Sequence, residues 1–414
     1  MTTVQPPILD YRSATGRLRG PALIASQTWA LTIDAYRQVQ SRKLFWITLI
    51  LSTLVAASFA TVGINANGLK VLWFDEFGGE VFNSNLISPA AFYKLIFLNF
   101  GVGIWLAWAA IILALVSTAG MIPELISDGS IDLYLSKPLG RVRLLLTKYV
   151  LGLTFVALQT VCFCVAAFLV IGIRGGVWEP GLFWAVPLVT LLYSFLFSIA
   201  ALVGLLTGST VAAILVTLLV WMLVIFSVDA ADQGILGAVQ LQEVRRDSAQ
   251  QSVDFNQQLM KRYESLTPEQ RAANTGFQTA QAGLEKAEAE LAAAESSLSS
   301  WEKAHWWVMA IKAPLPKTSE TMAVLQRRLI DSAELESWRD EVSNMQSENA
   351  AESARRRNRD EEEARRRAEQ ESLAAQSTEN RYLNRSAWWS IGTSLGFEAA
   401  LLAIACWVFT RRDF

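Results

Sequence analysis

Histidine and cysteine are the scarcest reactive residues in this chain. One histidine, His305, occurs among 414 residues, which excludes any site that needs two imidazoles, the H-E-x-x-H zinc arrangement included. The three cysteines, Cys162, Cys164 and Cys406, all fall inside apolar runs. There they read as small buried hydrophobes, and the polar part of the chain has no thiol for a disulfide or a metal cluster. No catalytic residue and no metal ligand is assigned. The phosphate loop G-x-x-x-x-G-K-[ST] is missing, so the chain is not an ATPase by itself. Charge is also sparse: 18% of residues are Asp, Glu, Lys or Arg and the formal net charge is -2, which argues against a globally basic nucleic-acid binder.

What the chain has instead is apolar length. It is 52% hydrophobic with 15 Trp and 20 Phe, and the apolar residues collect near 44–64, 99–121, 147–172, 181–206, 210–228 and 388–410. Each run approaches or exceeds the roughly 20 residues that cross a bilayer core of about 30 Å. The expected fold is an all-α membrane protein with six transmembrane helices. Residues 1–43 are polar, carry Arg12, Arg17 and Arg19 and lack an early apolar core, so the first span is expected to be an uncleaved anchor. Ahead of it, Trp29, Ala30, Ile33 and Tyr36 oppose Asp34, Arg37 and Gln38, the pattern of an amphipathic helix lying in the interface.

Positive charge sets the expected orientation. Arg37, Arg42 and Lys43 precede span one, Lys137, Arg141 and Arg143 separate spans two and three, and Arg411 and Arg412 follow span six. All fall on one side, so both termini are expected in the cytoplasm. Spans four and five are joined by little more than Thr207-Gly208-Ser209, which demands a tight helical hairpin. The expected domains are a tail with the interfacial helix (1–43), spans one to five (44–228) with a cytoplasmic loop at 122–146, an extracytoplasmic helical insert (229–387), and span six with its tail (388–414).

Within that loop runs Ile122-Pro123-Glu124-Leu125-Ile126-Ser127-Asp128-Gly129-Ser130-Ile131-Asp132-Leu133-Tyr134-Leu135-Ser136-Lys137-Pro138-Leu139-Gly140-Arg141, followed by Lys148-Tyr149, and the chain finishes Arg411-Arg412-Asp413-Phe414. An acidic start, a Gly turn, an apolar stripe and a Pro stop suit a short stiff element that presses on a partner. The loop pattern E…G-x-I-x-x-x-L-S-x-P-x-x-R…K-Y and the R-R-D-F finish resemble the ABC type-2 transporter permease family over 22–228 and 388–414. The resemblance implies a permease subunit of an exporter in a bacterial inner membrane, not itself an enzyme, served by a separate cytoplasmic ABC ATPase that would hold the ATP and Mg. It further implies a second permease half, either an identical copy or a related chain. Carried over by that pattern, Glu124, Asp128, Gly129, Ile131, Lys137, Pro138 and Arg141 are the candidate ATPase interface. The competing reading is a membrane scaffold or sensor that presents a coiled coil and transports nothing.

The insert departs from the plain six-span pattern. Phe277, Leu284, Leu291 and Leu298 recur every seven residues, each followed three places later by Ala280, Ala287, Ala294 or Trp301, a coiled-coil seam alternating large with small. Thr267-Pro268-Glu269-Gln270 reads as a helix start. The expectation is an antiparallel hairpin of 234–265 and 268–303, turning near Leu266-Thr267 and available to an extracytoplasmic protein partner. Trp301, Trp306 and Trp307, with Pro314 and Pro316 beyond them, read as an interfacial belt or gate helix at 301–317, the alternative being the packed base of the hairpin. In 352–371, Glu361, Glu362 and Glu363 stand four residues before Arg365, Arg366 and Arg367, as in a solvated helix. Nucleic-acid binding is not expected there because each basic block has an acidic neighbour. Glu398 lies deep in span six, where a carboxylate either lines a pathway or is held by an internal hydrogen bond.

Overall fold

A computed structural model describes Trp29, Ile33, Arg37 and Gln40 and the stretches 43–65, 68–71, 74–77, 88–127, 140–329 and 359–412. Six of its helices are long and apolar enough to cross a membrane: Lys43–Thr61, Ala91–Ile126, Arg141–Gly175, Pro180–Thr207, Thr210–Lys261 and Ala387–Arg411, here spans 1 to 6. Ahead of span 1, Trp29, Ile33, Arg37 and Gln40 are helical and exposed, and the rest of the expected interfacial helix lies outside the described residues.

Span 4 is the most buried of the six because it carries the bulky side chains of the core. Tyr193, Phe195 and Phe197 are fully buried, and Phe197 stacks between Tyr149 of span 3 (5.2 Å) and Tyr193 (5.4 Å). Gly152 makes room for that stack, since a Cβ there would come within 2.4 Å of the Phe197 ring. Spans 2 and 5 meet through Trp108 stacked on Trp221 at 4.9 Å, at places where both helices widen into π-helical stretches, Phe97–Ala110 and Val220–Ile225. Span 4 ends at Gly208, whose φ of +65° needs a glycine, and Ser209 then caps the start of span 5 through Ala212 N–H. The tight turn expected between spans 4 and 5 is therefore present.

One element amends the all-α expectation. After span 1, β1 (Val62–Asn65), β2 (Gly68–Val71) and β3 (Phe74–Phe77) form an antiparallel sheet in that order. Val62, Ile64, Leu69 and Val71 suit strands, and the Tyr93 hydroxyl of span 2 donates to Val62 O at 2.7 Å.

The last segment of span 2 is a short helix of its own, α1 (Pro123–Ser127), which leads into the loop toward span 3. Span 5 does not stop where its apolar run ends: it continues through residue 229 as α2 (Phe226–Lys261), so Thr210–Lys261 is a single helix of 52 residues. After the turn at 262–267 come α3 (Pro268–Ala273) and α4 (Thr275–Lys312). Thr267 and Gln270 form the reciprocal capping box at the start of α3. Asn274 interrupts the helix expected over 268–303 and caps α4 through Phe277 N–H at 3.1 Å. The α2 and α4 helices lie antiparallel, with Ala280, Ala287, Ala294 and Leu298 buried against a face holding Leu236, Val239, Ala249 and Val253. Approach is close enough that a Cβ on Gly283 would fall 2.7 Å from Asn256 Oδ1.

Two further helices complete the described chain. The first, α5 (Thr318–Leu329), packs on spans 2, 4 and 6, and the second, α6 (Arg359–Leu383), packs along α2. The α6 helix takes in 359–371 of the segment of alternating acidic and basic blocks, the rest of which lies outside the described residues, and Arg381 fixes it to Glu243 of α2 at 3.1 and 3.3 Å.

Candidate functional site

Three places in the fold collect chemistry. The first is the bundle face carrying α1, the turn between spans 4 and 5, and the end of span 6. Pro123 opens α1 and seats its ring on Gly204 of span 4, where a Cβ would lie 2.9 Å from Pro123 Cγ. Gly120 is equally tight, with Glu124 Oε1 only 2.5 Å from the place of a Cβ. Arg141, at the start of span 3, donates to Thr410 O (3.3 Å) and Arg412 O (2.9 Å), and Arg412 in turn donates to Leu205 O. Two guanidiniums thus satisfy carbonyls that the last turns of spans 4 and 6 leave without helical partners. Of the seven candidate interface residues, Glu124 and Arg141 are placed on this face. Asp128, Gly129, Ile131, Lys137 and Pro138 lie outside the described residues.

Glu398 forms the second place. It is buried between spans 3, 4 and 6, where Tyr149 Oη donates to Oε1 at 2.8 Å and Ser194 Oγ to Oε2 at 2.7 Å. Tyr149 also reaches Ser194 O at 2.7 Å. The residue therefore makes the internal hydrogen bonds that were one of its two expected roles.

The third place was not anticipated as a unit. Where span 5 passes from Val228 to polar residues, Asp229 and Asp232 are almost wholly buried, and so are Lys312 at the end of α4 and Glu320 in the first turn of α5. Lys312 Nζ lies 2.9 Å from Asp229 Oδ1, 2.8 Å from Asp232 Oδ2 and 2.9 Å from Glu320 Oε1. Arg385, just ahead of span 6, joins Asp232 through both of its terminal nitrogens, one at 3.0 Å from Oδ1, and reaches Glu320 Oε1 at 2.8 Å. Ser390 of span 6 donates to Glu320 Oε2. Asp229 also accepts from Thr318 Oγ1 (3.2 Å) and Ser319 Oγ (2.8 Å) at the start of α5. The adjacent Lys317 ammonium is held by Ala313 O at 3.2 Å and Thr393 Oγ1 of span 6 at 2.7 Å. Three carboxylates, Asp229, Asp232 and Glu320, thus stand among three cations, Lys312, Lys317 and Arg385.

Burial alone would push the Asp232 carboxyl up, but the hydrogen bond from Arg385 and the charge of Lys312 outweigh it and hold the group at about 2. Glu320 is also lowered: burial opposes this, and the Lys312 charge and the Ser390 hydrogen bond prevail. Burial disfavours the Lys312 ammonium, yet Asp229 and Asp232 raise it above the ordinary lysine value. For Lys317 burial wins and the value falls.

The aromatic residues expected at 301–317 border this cluster. Trp306 and Trp307 are each 63% exposed and meet edge to face at 4.8 Å, while Trp301 is also exposed. They occupy the last turns of α4 rather than a separate helix. Pro314 is exposed and Pro316 buried in the turn that follows. The next element, α5, packs on spans 2, 4 and 6. His305 lies 3.3 Å from Asp232 Oδ1, a structural contact at the edge of the cluster. The sequence did carry a signal for the cluster: Asp229, Asp232, Lys312 and Arg385 each stand at the border of an apolar run.

A family model described as ABC-2 family transporter protein matches residues 28–318. The match takes in spans 1 to 5 and extends through α2, α3 and α4, well beyond the portion whose motifs were legible. No curated protein and no solved structure was found to match.

Proposed function

Because the chain belongs to the ABC-2 transporter family, we propose that it is the permease subunit of an ATP-driven exporter, coupled through the 122–146 loop to a separate ATPase. The observation that carries this is the bracing of the loop at both ends. Pro123 is wedged on Gly204 at its entry, and Arg141 and Arg412 tie its exit to spans 4 and 6. A push on such a loop reaches three spans directly instead of dissipating in a slack connection. Glu124, Asp128, Gly129, Ile131, Lys137 and Pro138 would supply the surface for the ATPase, which would hold ATP and Mg.

In this reading the loop and both termini face the cytoplasm, and α2 to α6 stand on the opposite side of a bacterial inner membrane. Trp306, Trp307, Trp388 and Trp389, all exposed, would lie at the headgroup level. A second permease half, identical or related, completes the pathway. Substrate exit would pass α5 on the ends of spans 2, 4 and 6, and the hairpin is the surface open to a partner on that side.

The test is affinity purification of the tagged protein from its membrane in mild detergent, with mass spectrometry and an ATPase assay of the eluate. The expected result is a near-stoichiometric subunit carrying a phosphate loop, lost in the Gly129→Leu, Pro138→Ala double variant although that variant still inserts. A folded protein that captures no such subunit would favour the scaffold reading instead.

A further inference from the structure

The hairpin is not hung on a flexible connection. Its first arm is span 5 itself, unbroken from Thr210 to Lys261, and its second arm ends at Lys312, whose ammonium is gripped by Asp229, Asp232 and Glu320. Two of these carboxylates, Asp232 and Glu320, also receive Arg385, and Glu320 receives Ser390 at the head of span 6. An apolar contact at this level could slide by a side chain's width. A fan of charged hydrogen bonds from buried groups cannot, because slipping leaves a buried charge unpaired. Along its length the hairpin is stiffened by the alanine seam and by the close approach at Gly283 and at Gly276, where a Cβ would lie 2.5 Å from Tyr263 Oη.

We infer that the cluster of Asp229, Asp232, Lys312, Glu320 and Arg385 is a rigid joint that makes the hairpin, α5 and the outer ends of spans 5 and 6 move as one lever. From Asp232 to Lys261 the arm is roughly 44 Å long at about 1.5 Å per residue, so a tilt of span 5 by ~10° displaces the tip by ~8 Å. The site acts as a fulcrum: motion delivered to the inner end of span 5 emerges at residues 262–267. This movement rests on the permease reading, whereas the rigidity of the joint does not.

The experiment uses the full chain in lipid nanodiscs, with its three cysteines replaced by Ala and nitroxides placed at Ser265→Cys on the hairpin turn and Ile173→Cys at the outer end of span 3. Without nucleotide, the joint predicts a narrow distribution of distances between the labels. Lys312→Met should broaden it at least twofold, and the milder Glu320→Gln, which keeps the side-chain shape, should broaden it measurably if Lys312→Met fails to insert. Equal widths in the parent and in Glu320→Gln, or in Lys312→Met where it inserts, overturn the joint. With the partner ATPase and a non-hydrolysed ATP analogue, the mean distance should shift by several ångströms in the parent and lose that shift in the variants. A narrow distribution that widens in the variants but never responds to nucleotide keeps the joint and rejects the lever, leaving ATPase capture to decide the permease reading.

Discussion

Glu398 shows what a carboxylate inside an apolar bundle requires. Both of its oxygens are engaged by hydroxyl groups of two neighbouring spans, so Glu398→Ala should remove both bonds, leaving Tyr149 on Ser194 O and Ser194 on Leu191 O, and cost about 1–3 kcal/mol. Glu398→Gln keeps one strong acceptor and should cost less than half as much, measured by thermal unfolding in detergent. If the Gln variant keeps its stability yet changes transport or its pH dependence, the residue lines the pathway as well as bracing it. The charge cluster makes a separate prediction in pH. Asp232 is held at about 2 against an ordinary 3.8, and Glu320 lies below its ordinary 4.5, so the stability from these lowered acids is present above about pH 5 and is lost as pH falls toward 2. Lys312 is raised above 10.5, so its contribution is complete below that value and disappears as pH rises through the higher folded value. Lys317, which is lowered, runs in the opposite sense and softens the alkaline limb. Unfolding temperature against pH should therefore be flat between about pH 5 and 9, with a steep acid limb below about 4.

At the level of elements, the contacts between helices set the expectations. Gly204 is a glycine because Pro123 sits on it, and Gly204→Val should overpack this contact by about 1–3 kcal/mol and lower transport-linked ATPase activity more than it lowers ATPase binding. Ala287→Leu should force α2 and α4 apart at a similar cost, seen as faster proteolysis at the 262–267 turn. The sequence made much of this legible. Run length exposed the spans, Thr207-Gly208-Ser209 exposed the turn between spans 4 and 5, and Ala280, Ala287 and Ala294, each three places after a large heptad residue, marked the seam buried between α2 and α4. Two features were less legible, for physical reasons. Polarity changes at Asp229 while helical propensity does not, so a boundary drawn on hydropathy crosses a helix that never breaks. The position of α5 is set by Glu320 and Thr318 through bonds to Arg385 and Asp229, which stand 65 and 89 residues away in the sequence, a separation that no local pattern registers. Sheet β1–β3 was overlooked because its strands are too short to compete with the apolar run before them.

For the whole molecule, the described chain divides into an apolar bundle centred on span 4 and a polar helical body on α2, α4 and α6, with the buried charges at their border. A layer of matched charge at that height suits a protein whose halves must stay in register across a change of solvent, because neither lipid nor water can replace the partners of Lys312 without leaving a carboxylate exposed to the wrong medium. Neutralising one member should therefore unsettle both halves together. In Asp232→Asn, hydrogen exchange should rise in the last turns of α4 and in the first turns of span 6 alike, while the α2 to α4 contact near Ala287 stays protected. Exchange confined to α4 would show the border to be a local hairpin base and not a shared one.

The bond from Arg412 to Leu205 has a consequence for biogenesis. The two residues are 207 positions apart, so the last turn of span 4 waits for this cap until Arg412 has been synthesised, about 10–40 s later at 5–20 residues per second. During that interval the last turn of span 4 keeps the Leu205 carbonyl without its guanidinium partner, so this end of the most buried span is the late-forming part of the bundle.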